Sequence, residues 1–326
     1  MKKIISLALI LVMLAAMLCS CGATGTMTMG TGGTAGTYYG YGGILGTQIK
    51  NASGINVNVV STDGSKANIL GINAGNYQLG TVQSDVMAYA YEGTRSFETE
   101  GKMDSFRVIG GLYAEAVQLV TMNPEIKSIT DLKGKTVSIG AIGSGVYFNA
   151  MDVLQAAGLE LQESGQNEPD RVTPQYQSFG DSVDSLKDGK IDAAFIVAGP
   201  PTPAITELFT TNTAYLVPID GAVAEKLMAD CPYYTVHSIP ADTYKGQTEE
   251  VKTVTVKATL IVSTSASEED VYNITKAIFD NIDAIKAAHA KGAELSLENA
   301  TSGMTAPFHK GAAKYFAEKG ITVESK

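Results

Sequence analysis

Short apolar runs alternate with amphipathic segments along most of the chain. From residue 26 onward the apolar runs have strand character, and the segments between them have helical spacing. This alternation is typical of a parallel α/β sheet. Strands are predicted at 26–29, 55–60, 77–82, 107–112, 118–122, 136–140, 192–198, 214–217 and 251–262, and helices at 35–50, 65–74, 84–92, 145–157, 181–187, 205–210 and 311–319.

A single long helix is predicted after Ser267, which is its expected N-cap. Acidic residues follow at 268–270, where negative charge stabilises a helix N-terminus, and an apolar stripe continues from Val271 to Ile285. This stripe is predicted to pack in the core. The run 192–198 has no polar alternation, which is typical of a strand covered on both faces of its sheet.

The order of these elements predicts two lobes. The chain has 326 residues, which exceeds the length at which one hydrophobic core stops growing. Two α/β units are followed by a long return segment, so we expect crossing strands to join the lobes. The predicted division is 1–20 as a leader, 21–122 as the first part of lobe 1, 123–218 as lobe 2, and 219–326 as a segment that completes lobe 1 and the hinge.

The first twenty residues have the pattern of a secretory signal peptide. Lys2 and Lys3 precede an apolar stretch too short for a permanent membrane span, and Leu18-Cys19-Ser20-Cys21 follows. That run resembles a bacterial lipobox, which implies cleavage before Cys21 and a lipid on its thiol. An ordinary cleaved signal with an accidental cysteine is the alternative. Cys231 then has no disulfide partner and is predicted to be a structural thiol.

Composition and charge narrow the classes of partner. The chain carries 24 basic and 34 acidic residues, with a formal net charge of −10. Nucleic-acid binding requires clustered Lys and Arg, and the three arginines here, Arg95, Arg107 and Arg171, lie far apart. We therefore expect no nucleic-acid partner.

A glycine-rich segment, 29–43, lies between the first predicted strand and the first predicted helix. Backbone N–H groups exposed at a helix N-terminus favour a carboxylate or phosphate. Gly30-x-Gly32-x-x-Ala35 also fits a dinucleotide fingerprint, but the acidic residue expected at the end of the second strand is absent. The alternative to an anion site is that these glycines only allow tight packing of the helix on its strand.

Three later loops have a similar construction. The segments 82–85, 140–145 and 198–201 each follow a predicted strand, and ligands of open α/β sheets bind at the carboxyl ends of strands. Ser84 and Ser144 are predicted helix caps, and whether they also face a ligand is left open.

Several motifs in order along the chain resemble the TAXI class of TRAP transporter solute receptors. They are 31–39 (TGGTAGTYY), 80–85 (GTVQSD), 129–135 (ITDLKGK), 143–145 (GSG), 188–195 (DGKIDAAF), 233–234 (YY), 239–241 (IPA) and 306–312 (APFHKGA). The resemblance implies a two-lobed α/β fold of the type II periplasmic-binding-protein (Venus-flytrap) kind with a hinged cleft. It also implies a receptor that encloses a small organic acid or amino acid, such as glutamate, glutamine or a 2-oxoacid, and delivers it to an ion-coupled TRAP-type permease.

The resemblance also implies a set of ligand-binding residues. Main-class TRAP receptors hold the carboxylate with an arginine, and no pocket-forming segment here contains one, so recognition by N–H and hydroxyl groups is predicted. One of Tyr38, Tyr39 and Tyr41 is expected to line the cleft. The predicted ligand-binding residues are Thr31, Gly32, Gly33, Tyr38, Gln83, Ser84, Tyr113, Ser144, Gly145 and Gly199.

Neither catalysis nor a cofactor is predicted. The three histidines, His237, His289 and His309, lack metal-ligand spacing, and the segment around Ser144 lacks the glycines of a nucleophile elbow. The alternative functions are a binding protein for an ABC permease or for a sensor kinase, and a surface adhesin or antigen. Arg107 is expected at the surface or between the lobes.

Overall fold

The computed structural model describes residues 25–163 and 168–326. The predicted signal peptide and the lipobox at Cys21 lie outside the described residues. The helices are α1 (Thr37–Ser53), α2 (Ser65–Asn73), α3 (Ser84–Glu92), α4 (Gly145–Ala156), α5 (Phe179–Lys187), α6 (Pro203–Thr211), α7 (Gly221–Asp230), α8 (Glu268–Phe279), α9 (Ile282–Ala288), α10 (Leu297–Thr301) and α11 (Lys310–Glu318).

The strands form a continuous hydrogen-bonded path through the molecule. They are β1 (Met27–Gly30), β2 (Val57–Val60), β3 (Leu79–Gln83), β4 (Phe106–Thr121), β5 (Thr136–Ser138), β6 (Thr173–Gln175), β7 (Ala193–Ala198), β8 (Tyr215–Val217), β9 (Thr235–Ile239) and β10 (Val251–Ser263). The order is β2-β1-β3-β10-β4-β7-β5-β6, with β8 paired to β4 and β9 paired to β10. The trios β1, β2, β3 and β5, β6, β7 are each parallel.

Two long antiparallel strands, β4 and β10, cross from one half of the molecule to the other. The second half of β10, from Ala258, pairs with β3, whereas its first half pairs with β9. Likewise β4 pairs with β7 only from Ala116 onward. Both crossing strands meet with register shifts between Lys257 and Ile261. These two strands therefore connect the two halves of the molecule.

Separate hydrophobic cores define the two lobes. One core is built from residues between Met27 and Tyr113 and between Ala258 and Phe316, and we call these parts lobe 1. Two further cores draw on residues from Ala116 to Val256, which we call lobe 2. The segment that returns from residue 219 is therefore shared, because its part before residue 257 packs in lobe 2.

Most predicted elements differ from the structure by one to three residues at an end, and two regions are organised differently. The strands predicted at 107–112 and 118–122 are one strand, β4, because Glu115 inside it is buried and hydrogen-bonded rather than exposed in a loop. The single long helix after Ser267 is two helices, α8 and α9, which meet at Asn281. Ser267 is the N-cap of α8, as predicted, and its hydroxyl accepts from the Asp270 backbone N–H at 3.0 Å.

Helix α1 packs closely on β1 and β2 through glycines. A side chain at Gly42 would meet Thr31 Cγ2 at 2.8 Å, and one at Gly46 would meet Val59 Cγ2 at 3.4 Å. Part of the glycine-rich segment thus serves packing, which is the alternative that the sequence left open.

Candidate functional site

A cavity of about 500 Å³ lies between the two lobes. Lobe 1 contributes the turns that follow β1 and β2 together with the end of β3, and lobe 2 contributes the turns that follow β5 and β6 with the end of β7. The carboxyl ends of parallel strands from both lobes therefore face one shared cleft. Its volume is within the usual range of small-molecule sites.

Five described helices begin at this cavity, and one of them, α3, has Gln83 as its N-cap and Asp85 in its first turn. In lobe 2 the N-cap serines Ser144 of α4 and Ser178 of α5 accept from backbone N–H groups of their own helices, at 3.1 and 3.3 Å. In lobe 1 the N-caps of α1 and α2 are Gly36 and Gly64, which provide no side-chain cap, and neither first turn contains an acid. The lobe 1 wall therefore presents uncapped N–H groups at the positive ends of two helix dipoles.

Direct hydrogen bonds join the lobes around the cavity. Gln83 Nε2 of lobe 1 donates to Asn149 Oδ1 of lobe 2 at 2.9 Å, and Thr37 Oγ1 donates to the Gly199 carbonyl at 2.8 Å. Arg95 pairs with Asp152 at 3.0 Å across the same boundary. The structure thus describes the closed arrangement of the lobes.

A buried polar network lies beside the Gln83 contact. Asn149 Nδ2 donates to Asp85 Oδ2 at 2.8 Å and to the Tyr234 hydroxyl at 2.6 Å, and that hydroxyl donates to Asp152 Oδ2 at 3.0 Å. Burial raises the pKa of Asp85 to about 7. Cys231, a free buried cysteine, lies 3.8 Å from Asp152 Oδ2, and burial raises the pKa of its thiol.

Glu115 of β4 lines the cavity at the hinge. It is 2% exposed, and its Oε2 accepts from the Tyr38 hydroxyl at 2.6 Å. Burial raises the pKa of Glu115 to about 8. Sequence reasoning missed this residue, although a single acid inside a long apolar strand was a usable signal.

Six of the ten predicted ligand-binding residues line the cavity. They are Gly32, Gly33, Tyr38, Gln83, Ser144 and Gly145. Among the three candidate tyrosines, Tyr38 faces the cavity, Tyr41 is fully buried in the lobe 1 core, and Tyr39 is exposed.

The structure does not bring the other four predicted residues to the cavity wall. Thr31 is buried and donates to the Val60 carbonyl at 2.6 Å, and Tyr113 packs edge-on against Tyr41 at 5.0 Å. Gly199 lies behind the wall, where its carbonyl accepts from Thr37 and its Cα faces the Lys291 side chain. Ser84 is not the predicted cap, because Gln83 is the N-cap of α3 and the Ser84 hydroxyl accepts from the Lys257 backbone N–H at 3.1 Å.

The cavity wall has acidic but no basic side chains among the residues described. Asp63 and Glu115 contribute to it, and no Lys or Arg does, as expected from the arginine-free segments. The prediction for Arg107 was wrong, because its side chain is buried within lobe 1 and pairs with Asp104 at 2.7 Å. Within residues 25–163 and 168–326, no cluster of three or more His, Cys, Asp or Glu could hold a metal ion.

The chain matches one known protein family over most of its length. A family model described as the NMT1-like family matches residues 29–320. The chain belongs to this NMT1-like family. The match covers both lobes and every segment that lines the cavity, but it does not single out the TAXI class.

Solved structures show the same fold. A protein from Listeria monocytogenes described as "Putative L-Cystine ABC transporter" is 18% identical, with a TM-score of 0.51 over 83% of this chain and 98% of that one. A structure described for glutathione import in Gram-positive bacteria via GshT and the cystine ABC importer TcyBC of Streptococcus mutans is 14% identical, with a TM-score of 0.51 over 88% and 98%. The NMT1-like chain thus has the two-lobed α/β fold of periplasmic substrate-binding proteins, as predicted. No helix in the part of the chain that the structure describes is long and apolar enough to cross a membrane.

Proposed function

We propose that this protein is an extracytoplasmic solute receptor that closes around a small carboxylate-bearing molecule. The observation that carries the proposal is the pair of uncapped helix N-termini, of α1 and α2, at a cavity between two hinged lobes. Backbone N–H groups there can hold a carboxylate without an arginine. The proposed role is binding and delivery, not catalysis.

Calorimetry on two variants of the cavity wall tests this proposal. A thermal-shift panel of amino acids, 2-oxoacids and dicarboxylates first identifies a ligand, because a molecule bound only by the folded state raises the melting temperature. Gln83→Ala and Ser144→Ala should then each weaken its binding by about tenfold, as expected for the loss of one buried hydrogen bond. Unchanged affinity in both variants would exclude this cavity as the site.

Ser267→Ala is the matched control for Ser144→Ala. Both serines are N-caps whose hydroxyl accepts from a backbone N–H of the helix, but Ser267 belongs to α8 and does not line the cavity. Each variant should lose a similar cap energy, about 1 kcal/mol. Only Ser144→Ala should lose affinity for the ligand.

We also propose that residues 1–20 are a cleaved signal and that a lipid on Cys21 anchors the receptor to the outer face of the cell membrane. The Leu-Cys-Ser-Cys run at 18–21 supports this proposal. Cys21→Ser should release the protein from the membrane fraction of the cells that produce it. Mass spectrometry of the mature N-terminus that shows an unmodified cysteine would refute lipidation.

For the membrane partner, an ABC permease is better supported than a TRAP permease. Both solved structures above carry ABC transport in their descriptions, whereas the TRAP assignment depends on the sequence motifs alone. We therefore propose delivery to an ABC permease. Uptake should be reconstituted in vesicles that contain the receptor and a permease encoded by a neighbouring gene. We expect this uptake to require ATP, and uptake driven by an ion gradient without ATP would favour TRAP transport instead.

A further inference from the structure

Glu115 is a buried acid whose carboxyl group forms no ion pair with a Lys or Arg among the described residues. Within the described residues its hydrogen-bond donor is the Tyr38 hydroxyl, which reaches Oε2. The charged and titratable groups that face it are Tyr38 on α1, Asp85 on α3, Tyr113 on β4 itself and Lys291 in the short helix Ala290–Glu294. The ammonium group of Lys291 forms its ion pair with Glu294 and not with Glu115.

A second unpaired acceptor belongs to a residue of the same cavity wall. Gln83 Oε1 is buried and unpartnered, while the amide nitrogen of that side chain is taken by Asn149. An unmade hydrogen bond at a buried oxygen costs free energy, but this oxygen lies against Gly145 and is not open to the cavity. The hinge side of the cavity therefore offers the Glu115 carboxyl group as an acceptor, and the α1 and α2 side offers backbone donors.

We propose that Glu115 receives a protonated amine of the ligand, so that the receptor selects molecules carrying both a carboxylate and an ammonium group, as amino acids do, over 2-oxoacids and dicarboxylates. This inference rests on the proposed receptor function. Tyr38 is a positioning residue in this account, because its hydroxyl fixes Oε2 and leaves Oε1 for the ligand.

Amine binding at this site changes the protonation of the protein. With a pKa of about 8, Glu115 holds a proton at pH 7 in the free protein. Pairing with an ammonium group requires the carboxylate, so that proton leaves to solvent when the ligand binds. We expect about one proton released per ligand at pH 7 and almost none at pH 9, and tighter binding as the pH rises between them.

Calorimetry with matched ligands tests the inference on the mature protein. The probes are the twenty standard L-amino acids, the pairs L-glutamate with 2-oxoglutarate and L-alanine with pyruvate, and glutarate. We expect an amino acid to be the tightest probe, and its 2-oxo or deaminated analogue to bind at least about tenfold more weakly. Titration in buffers of different ionisation enthalpy then counts the protons released.

Glu115→Gln removes the charge and keeps the shape. It should lose most of the preference for the amine and all of the proton release, while its melting temperature shows that it folds. Asp63→Asn is the matched control, because Asp63 is an exposed acid at the same cavity. Loss of the preference in Asp63→Asn instead of Glu115→Gln would overturn the assignment.

The remaining outcomes separate the inference from the proposed function. A 2-oxoacid or dicarboxylate that binds as tightly as its amino analogue overturns the amine site and leaves the receptor function standing. If no probe binds, the receptor for a small carboxylate fails and the amine site fails with it.

Discussion

Asp85 lies at the contact between the lobes with its carboxyl group fully buried. Oδ2 accepts from Asn149, whereas Oδ1 is unpartnered within the described residues. In the folded protein burial raises its pKa to about 7, while in the unfolded chain an Asp ionises near pH 4. Between these values the folded state holds a proton that the unfolded state has lost, so raising the pH through this window lowers the stability.

Asp85→Asn should remove this loss of stability at higher pH. Relative to wild type, the free energy of unfolding of the variant should rise between about pH 4 and pH 7 and stay level above that, because the buried charge is then absent. Below about pH 4 the group is neutral in both states and contributes nothing. Urea denaturation across the pH range measures the difference, and parallel curves for the two proteins would contradict the prediction.

Residue by residue, sequence reasoning found those site positions that local geometry decides. Gly32, Gly33, Ser144 and Gly145 follow strands and precede helices, so the turn places them at the cavity. Asn149 and Glu115 lie inside a helix and a strand, and their roles come from the opposite lobe or from a distant tyrosine. The local pattern marks Glu115 as a single acid in an apolar strand, but it does not contain the partner of either residue.

At the scale of elements, helix α1 contains two kinds of glycine, those packed against strands and those with open space beside them. Gly42 and Gly46 face β1 and β2, where a side chain would press against Thr31 or Val59, whereas Gly40 and Gly43 have open space where a Cβ atom would lie. None of these four has the positive φ that would itself require glycine. The two pairs therefore differ only in what surrounds them.

Alanine substitutions at different glycines of α1 should change the free energy of unfolding in opposite directions. Gly40→Ala and Gly43→Ala should each stabilise the protein by about 0.5 to 1 kcal/mol, because alanine loses less backbone entropy in a helix. Gly42→Ala should destabilise it, since the new methyl group would lie 2.8 Å from Thr31 Cγ2. Denaturant unfolding measures all three, and equal stability of the Gly40 and Gly42 variants would contradict the packing argument.

Most element positions could be predicted from periodicity and caps, and the exceptions have physical causes. Helix α7 and strand β9 lie after residue 219, where only Ala224 and Leu227 of α7 are buried and β9 is half exposed. In such elements few side chains are buried, so hydrophobic residues do not recur at regular spacing and the sequence provides little signal. The division of the predicted long helix at Asn281 depends on its side chain, which donates to the Ala277 carbonyl.

At the scale of the molecule, the two lobes approach each other closely at Gly145. A Cβ atom there would lie 1.7 Å from Gln83 Oε1, which belongs to the opposite lobe. Gly145 is the first residue of α4, so the N-terminus of this helix lies at the cavity. An open arrangement of the lobes would relieve this clash without any change within either lobe.

Gly145→Ala should therefore weaken closure without unfolding the protein, because the Gln83 side chain would have to move and lose its hydrogen bond to Asn149. With a saturating ligand, small-angle scattering should show a smaller radius of gyration for wild type and a lesser decrease for the variant. Gly180→Ala is the control, since Gly180 lines the same cavity but a Cβ atom there meets nothing within 4 Å. Compaction of the Gly145 variant to the wild-type radius would show that the contact does not limit closure.

The path of β10 also determines the order in which the lobes can fold. All strands of lobe 2 find their partners within 115–256, whereas β3 of lobe 1 pairs with Ala258–Val262, beyond the whole of lobe 2. Forming that pairing closes the longest loop in the sheet, and loop closure slows non-local strands. We expect amide protons of lobe 2 to become protected before those of β3 during refolding, so that the lobe containing the N-terminal strand is the last to form. Pulsed hydrogen exchange that protects β3 first would contradict this order.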